Sequence, residues 1–221
     1  MSDSIRVLLV DDQELVRYGL RLVLEAAPGL LVVGEAADGA QAIGAAERLR
    51  PDVVLMDVRM PGIGGIEATR RIAGLVPDAR VLVLTTYDLD EVAFAALDAG
   101  AAGFLLKNTR PEELVAAIRA VGSGDAVVSP RITAKLIEIA APHLVERQQA
   151  DVEDALSELS PREREIFVLI GRGETNGEIA AALHLSESTV KAHVGRVLAK
   201  LELRNRVQAV IRAYELGLVT P

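Results

Sequence analysis

The sequence predicts an α/β fold, a five-stranded doubly wound parallel sheet, joined by a linker to a smaller all-α domain. Three features predict it. Short, continuously apolar runs alternate with Ala/Leu-rich stretches of helical spacing across residues 5–121. A polar, acid-rich segment then interrupts the alternation. From Ser160 onward the capping signals of short helices recur at close intervals. Strands that are apolar at every position are those covered on both faces of a sheet. Successive βα units set such strands in parallel through right-handed crossovers.

The elements follow in order. Strands are expected at Ile5–Val10, Leu31–Glu35, Val53–Met56, Arg80–Leu84 and Gly103–Leu106. Helices are expected between and after them at Asp12–Ala27, Gly39–Leu49, Ile66–Leu75, Leu89–Ala99 and Pro111–Val121. Gly122-Ser123-Gly124-Asp125 ends the last of these. Ser129-Pro130 then offers an N-cap and a proline at the first helical position, for a short helix to about Ala141 that Pro142 stops. The stretch Glu146–Glu158 has the composition of an interdomain linker. Ser160-Pro161-Arg162-Glu163 is a full capping signal, and Thr175-Asn176-Gly177-Glu178 repeats it for a short helix through Leu183. Ser186 caps a third helix, about Glu187–Leu201, whose Val190, Val194, Val197 and Leu201 form an inward stripe. A fourth runs from about Arg204 to Leu216. The expected division is a first domain over 1–122, a linker with a short helix over 123–158 and a helical domain over 159–221.

Composition narrows the function classes. Half of the 221 residues are apolar and a quarter charged, so a packed core is expected rather than disorder. The absence of cysteine excludes disulfides and thiolate metal sites. The first residues lack the basic flank of a signal peptide, and no apolar run is long enough to span a bilayer. A cytoplasmic protein without membrane contact is therefore expected. The net charge of −8 is unevenly spread. Residues 1–125 hold 12 Lys and Arg against 19 Asp and Glu, whereas Ser186–Arg206 holds five basic residues against two acids. Two modules with different partners are implied.

In an open α/β sheet, ligands bind at the carboxyl ends of the strands. Here those ends carry Asp11 and Asp12, Asp57, Thr85 with Thr86, and Lys107. A strand order of 2-1-3-4-5 brings the three aspartates together at the switch point. Clustered carboxylates repel one another, and Mg²⁺, a hard cation that keeps waters for a phosphate, relieves that repulsion. A carboxylate is also a nucleophile toward phosphorus. Lys107 and a threonine hydroxyl can neutralise and bind a transferring phosphoryl group. Each residue alone has a plainer reading: Asp12 as a helix cap, Lys107 as a solvated side chain, Thr85 as ordinary strand chemistry. Their joint placement at successive strand ends is what points to chemistry.

The stretches VLLVDD, VVLMDVRMPGIGGIEA, VLVLTTYD and AAGFLLKN resemble the receiver domain of response regulators. The stretch from Ser160 to Val210 resembles the LuxR-type helix-turn-helix, and the whole chain resembles the NarL/FixJ family. The resemblance implies a flavodoxin-like receiver with Asp57 as phosphoacceptor. It implies Mg²⁺ held by Asp11, Asp12, Asp57 and the backbone carbonyl of Arg59. Thr85 and Phe104 become switch residues, and Lys107 the phosphoryl-binding cation. The partners implied are a sensor histidine kinase, double-stranded DNA and a second copy of the chain when phosphorylated. Asn108 stands where the family often has proline, so no cis bond is assumed.

In a helix-turn-helix the second helix enters the major groove. That helix presents Thr189, Lys191, Ala192, His193, Gly195, Arg196 and Lys200, with Arg204 and Arg206 beyond it, as candidate DNA contacts. Lys191 suits a base edge and the other cations suit phosphates. The plainer reading is a solvated face. Val207, Val210, Ile211 and Tyr214 are a candidate dimerisation face, with packing inside the domain competing for the same stripe. Two rival functions remain. An aspartyl phosphatase of the haloacid dehalogenase type needs a second acid two residues after its nucleophile, where this chain has Arg59. A DNA-binding regulator independent of phosphorylation would use the receiver only to dimerise.

Overall fold

The computed structural model describes residues 4–85, 90–127 and 156–219. They form two compact units, one of residues 4–85, 90–122 and 126–127 and one of residues 123–125 with 156–219. The helix expected from Ser129 and most of the linker lie outside the described residues.

In the first unit, β1 (Ile5–Val10), β2 (Leu30–Ala36), β3 (Val53–Asp57), β4 (Arg80–Thr85) and β5 (Gly103–Leu106) form one sheet in the order β2-β1-β3-β4-β5. All four pairings are parallel. The helices are α1 (Glu14–Glu25), α2 (Gly39–Leu49), α3 (Gly65–Leu75), α4 (Asp90–Asp98) and α5 (Pro111–Ser123). Val7 to Val10 and Val53 to Met56 are almost fully buried, as their unbroken apolar runs require. The strands and helices stand within about two residues of the expected spans. Asp12 does not cap α1. The N-cap is Gln13, and it makes no side-chain capping bond.

The chain beyond α5 turns back to β5. Val127 makes an isolated parallel bridge to Gly103. Phe104 donates its N–H to the Val127 carbonyl at 2.9 Å, and Val127 donates to Ala102 at 3.2 Å. A Cβ on Gly103 would stand 2.8 Å from that carbonyl oxygen, so the close approach depends on glycine.

The second unit is helical: α6 (Pro161–Gly171), α7 (Asn176–Leu183), α8 (Glu187–Lys200) and α9 (Arg206–Glu215). Ser160 and Thr175 head complete capping boxes, and Ser186 and Asn205 cap α8 and α9. Ile166, Phe167 and Ile170 of α6, Ile179 of α7 and the Val190, Val194, Val197 stripe of α8 share one core with Ala213 and Tyr214 of α9. Of the candidate dimerisation stripe, packing within the domain core therefore takes Tyr214, and Val207 is buried too. Val210 is half-buried against the core and Ile211 is half-exposed.

Candidate functional site

The carboxyl ends of β1, β3 and β5 converge because β1 lies between β2 and β3, where the winding reverses. Asp11, Asp12 and Asp57 offer carboxylate oxygens that all lie within 4.8 Å of one another. Asp11 and Asp57 are buried, and Asp12 is exposed at the rim. Lys107 reaches in from the end of β5, its Nζ 2.6 Å from Asp11 Oδ2 and 3.0 Å from Asp57 Oδ2. Its backbone N–H donates to the Thr85 carbonyl at 2.7 Å, locking the ends of β4 and β5 side by side. Thr85 is buried beside them.

The loop after β3 is held by a glycine. Gly65 opens α3, donates its N–H to the Val58 carbonyl at 2.9 Å, and lies so close that a Cβ would stand 1.9 Å from the Asp57 carbonyl oxygen. Any side chain at this position displaces the backbone of the residue that carries the central carboxylate.

Burial raises the Asp57 carboxyl above its ordinary range; Lys107 pulls the other way, and the nearby Asp11 charge adds to the rise. Burial alone would lower Lys107, but its two carboxylate partners outweigh that and raise it. Lys107 is thus a fixed cation. Asp11 Oδ1 accepts the Gln13 N–H at 3.0 Å. Asp11 Oδ2 is buried and, although it is ion-paired to Lys107, has no aligned hydrogen-bond donor. A buried carboxylate oxygen with spare lone pairs, next to two further carboxylates, suits a hard divalent cation. Phe104 is buried in β5, with Thr85 at the end of the neighbouring strand.

The residues expected to meet DNA divide. Thr189, Lys191, Ala192, Gly195, Arg196, Lys200 and Arg204 are exposed, and His193 is half-buried. The Thr189 hydroxyl lies 2.7 Å from the capping Ser186 Oγ. Burial, then the Arg196 charge, lowers His193, and its Nδ1 lies 2.8 Å from an Arg196 nitrogen. Arg206 departs from expectation. Its side chain is buried, donates to Asn176 Oδ1 at 2.9 Å and to the Glu174 carbonyl, and lies 3.8 Å from Asp125 of the same unit. It braces the start of α7 and α9 rather than facing outward as a phosphate contact. No local pattern around Arg206 signals this, because its partners stand thirty or more positions away.

A second feature escaped the sequence. Glu163, read there only as a capping residue, accepts a bond from Lys200 Nζ at 2.8 Å and lies 3.3 Å from Arg196 Nε. The Lys200 bond and the Ser160 N–H hold its carboxyl down at about 2.

A parallel sheet with an acidic switch point and a lysine at the fifth strand, followed by a capped helix-turn-helix, defines a receiver coupled to a DNA-binding module. Residues 7–119 match the family model of the response regulator receiver domain, and residues 157–213 that of bacterial regulatory proteins of the luxR family. The chain belongs to the two-component response regulators of the NarL/LuxR family. It is 40% identical over 217 residues to the transcriptional regulatory protein LiaR of Bacillus subtilis, covering 97% of this chain and 99% of that one. It is 39% identical to the response regulator VraR of Staphylococcus aureus, covering 98% and 99%. Among solved structures, the response regulator ChrA of a heme-sensing two-component system matches at 37% identity, with a TM-score of 0.52 over 98% of this chain and all of that one.

Proposed function

We propose that Asp57 is the phosphoacceptor of this response regulator, and that its phosphorylation by a sensor histidine kinase controls sequence-specific DNA binding. The observation that carries the reading is the convergence of Asp11, Asp12 and Asp57 within 4.8 Å, with the Lys107 ammonium 3.0 Å from Asp57. Asp11, Asp12, Asp57 and the Arg59 carbonyl would hold Mg²⁺, which supplies charge neutralisation for the phosphoryl oxygens. Lys107 pairs with one phosphoryl oxygen. The Thr85 hydroxyl binds another, and Phe104 repacks behind it.

On the DNA side, α8 enters the major groove. Lys191 reads a base edge beside the small residues Ala192 and Gly195, while Thr189, His193, Arg196, Lys200 and Arg204 meet the backbone. A phosphorylated homodimer fits a two-fold site, and one relative, RcsB, is known from a structure of two dimers bound to two parallel DNAs, at 28% identity and a TM-score of 0.55. With Val207 and Tyr214 in the core, pairing through α9 falls to Val210 and Ile211. The functional parts are a receiver over 1–122, a linker over 123–158 and the DNA-binding domain over 159–221. The protein acts in the cytoplasm, away from the membrane, and has no turnover chemistry of its own. Among the described residues no helix is long and apolar enough to cross a bilayer.

The test is mass spectrometry after incubation with acetyl phosphate and Mg²⁺. One phosphoryl group is expected on the wild type and none on Asp57→Asn. Modification of the variant to the same extent would remove Asp57 from its role.

A further inference from the structure

The two capping boxes of the helical unit have the same local geometry and different surroundings. In α7, Glu178 is exposed and accepts from the Thr175 N–H at 2.7 Å and its hydroxyl at 2.8 Å. In α6, Glu163 makes the equivalent bond to the Ser160 N–H at 2.9 Å, yet its side chain is only 5% exposed. It also holds Lys200 at 2.8 Å through Oε2 and Arg196 at 3.3 Å through Oε1. Capping requires neither the burial nor the ion pairs, as Glu178 shows. Arg196 and Lys200 stand four positions apart on α8, so a single carboxylate beneath them takes both. Their side chains remain 52% and 37% exposed. Lys200 is anchored a second time, to the Glu158 carbonyl at 2.9 Å, and Arg196 a second time, to His193 at 2.8 Å.

We propose that Glu163 is a positioning residue for DNA recognition, aiming Arg196 and Lys200 so that α8 meets the DNA backbone in one register. The inference rests on the placement of α8 as recognition helix given above. A long basic side chain free in solution loses rotamer entropy when it grips a phosphate. Held beforehand by Glu163, both cations have already given up that freedom. The same carboxylate cancels part of their charge, which lowers the attraction to any DNA whatever its sequence. The combined effect is selectivity: less pull toward random duplex and a better fit where the backbone matches the held geometry.

The test compares two affinities by fluorescence anisotropy at fixed salt. One duplex is selected from a random pool by the phosphorylated wild type, and the other is a scrambled duplex of the same length. Glu163→Gln is expected to weaken the selected duplex about tenfold, from re-freeing two rotamer-rich side chains, and to leave the scrambled duplex equal or tighter. An unchanged ratio of the two affinities overturns the proposal, whether both stay the same (a cap only) or both rise together (a charge brake only). Glu178→Gln, which removes only a cap, is expected to keep the wild-type ratio; a matching loss there also overturns it. If Glu163→Gln does not fold, Glu163→Asp decides. It keeps the charge with a shorter reach, and a wild-type ratio in it is an overturning result. Arg196→Ala and Lys200→Ala report on the underlying reading. If neither weakens either duplex, the backbone contacts assigned to α8 fail, and the positioning role fails with them.

Discussion

Asp57 in the sheet unit and Glu163 in the helical unit each have a side chain only 5% exposed, yet their carboxyls move in opposite directions. Burial wins at Asp57, which shares the Lys107 ammonium with Asp11 and feels that second negative charge. Hydrogen bonds win at Glu163, where the Lys200 ammonium comes first and the Ser160 N–H next. Surface exposure is the same, but Asp57 lies deeper among protein atoms and loses more hydration, and it also has fewer donors and cations per negative charge. The first arrangement leaves a carboxylate under-satisfied and ready to exchange partners. The second spends a carboxylate on holding other groups still. The direction in which a carboxyl moves is thus set by its desolvation weighed against the donors around it, and surface exposure alone does not reveal that balance.

The sharpest way to break this comparison is Lys107→Met. Without the shared cation, Asp11 and Asp57 are left facing each other, and the sheet unit is expected to lose about 3 kcal/mol, the low end for a broken buried pair because Asp57 can take up a proton. Urea denaturation of this unit measures it, and a loss near zero would mean the pair is solvated after all. Gly65→Ala comes next. Forcing a Cβ against the Asp57 backbone is expected to cost about 2 kcal/mol and to slow acetyl-phosphate labelling, read by denaturation and by a labelling time course.

Acidification sharpens the contrast by sign. Glu163 titrates at about 2 in the fold against an ordinary 4.5, so its contribution is full above 4.5 and fades as pH falls toward 2. Asp57, raised in the fold, has the opposite linkage: its ionisation weakens the fold, and the penalty is relieved as pH drops through the raised value. Calorimetry from pH 6 to 2 should find the acid limb of the helical unit flattened by Glu163→Gln. Asp57→Asn should raise the stability of the sheet unit at pH 7. The smallest effect is expected at Gly195, exposed in mid-helix with nothing within 4 Å of where an added Cβ would stand. Gly195→Ala should stabilise the helical unit by about 0.5–1 kcal/mol, measured by thermal melting, with no change in the sheet unit.

Much of this was legible in the residues. The acids and the lysine follow apolar runs directly, and a strand end in a parallel sheet is a fixed address, so Asp11, Asp57 and Lys107 could be brought together from their positions alone. Caps are equally local: Ser160, Thr175 and Ser186 head their helices as their side chains demand. What stayed hidden depends on partners distant in the chain. The burial of Arg206 by Asn176 and Glu174 is such a case, as is the hold of Glu163 on Lys200, 37 positions on. Periodicity marked the stripe on α9 but could not say which of its residues the domain itself would claim. Tyr214 went inside because α6 lies against that helix, and Val207 is buried as well.

The return of the chain to Val127 has a further consequence. β5 is an outer strand, and an unprotected outer strand invites strands of other molecules to add to it. By bonding on both sides of Gly103, through Ala102 and Phe104, Val127 occupies the first part of that margin. A truncation placed before Val127 would therefore bare this stretch of border, with increased self-association as its symptom, whereas one placed after it keeps the Gly103 end covered.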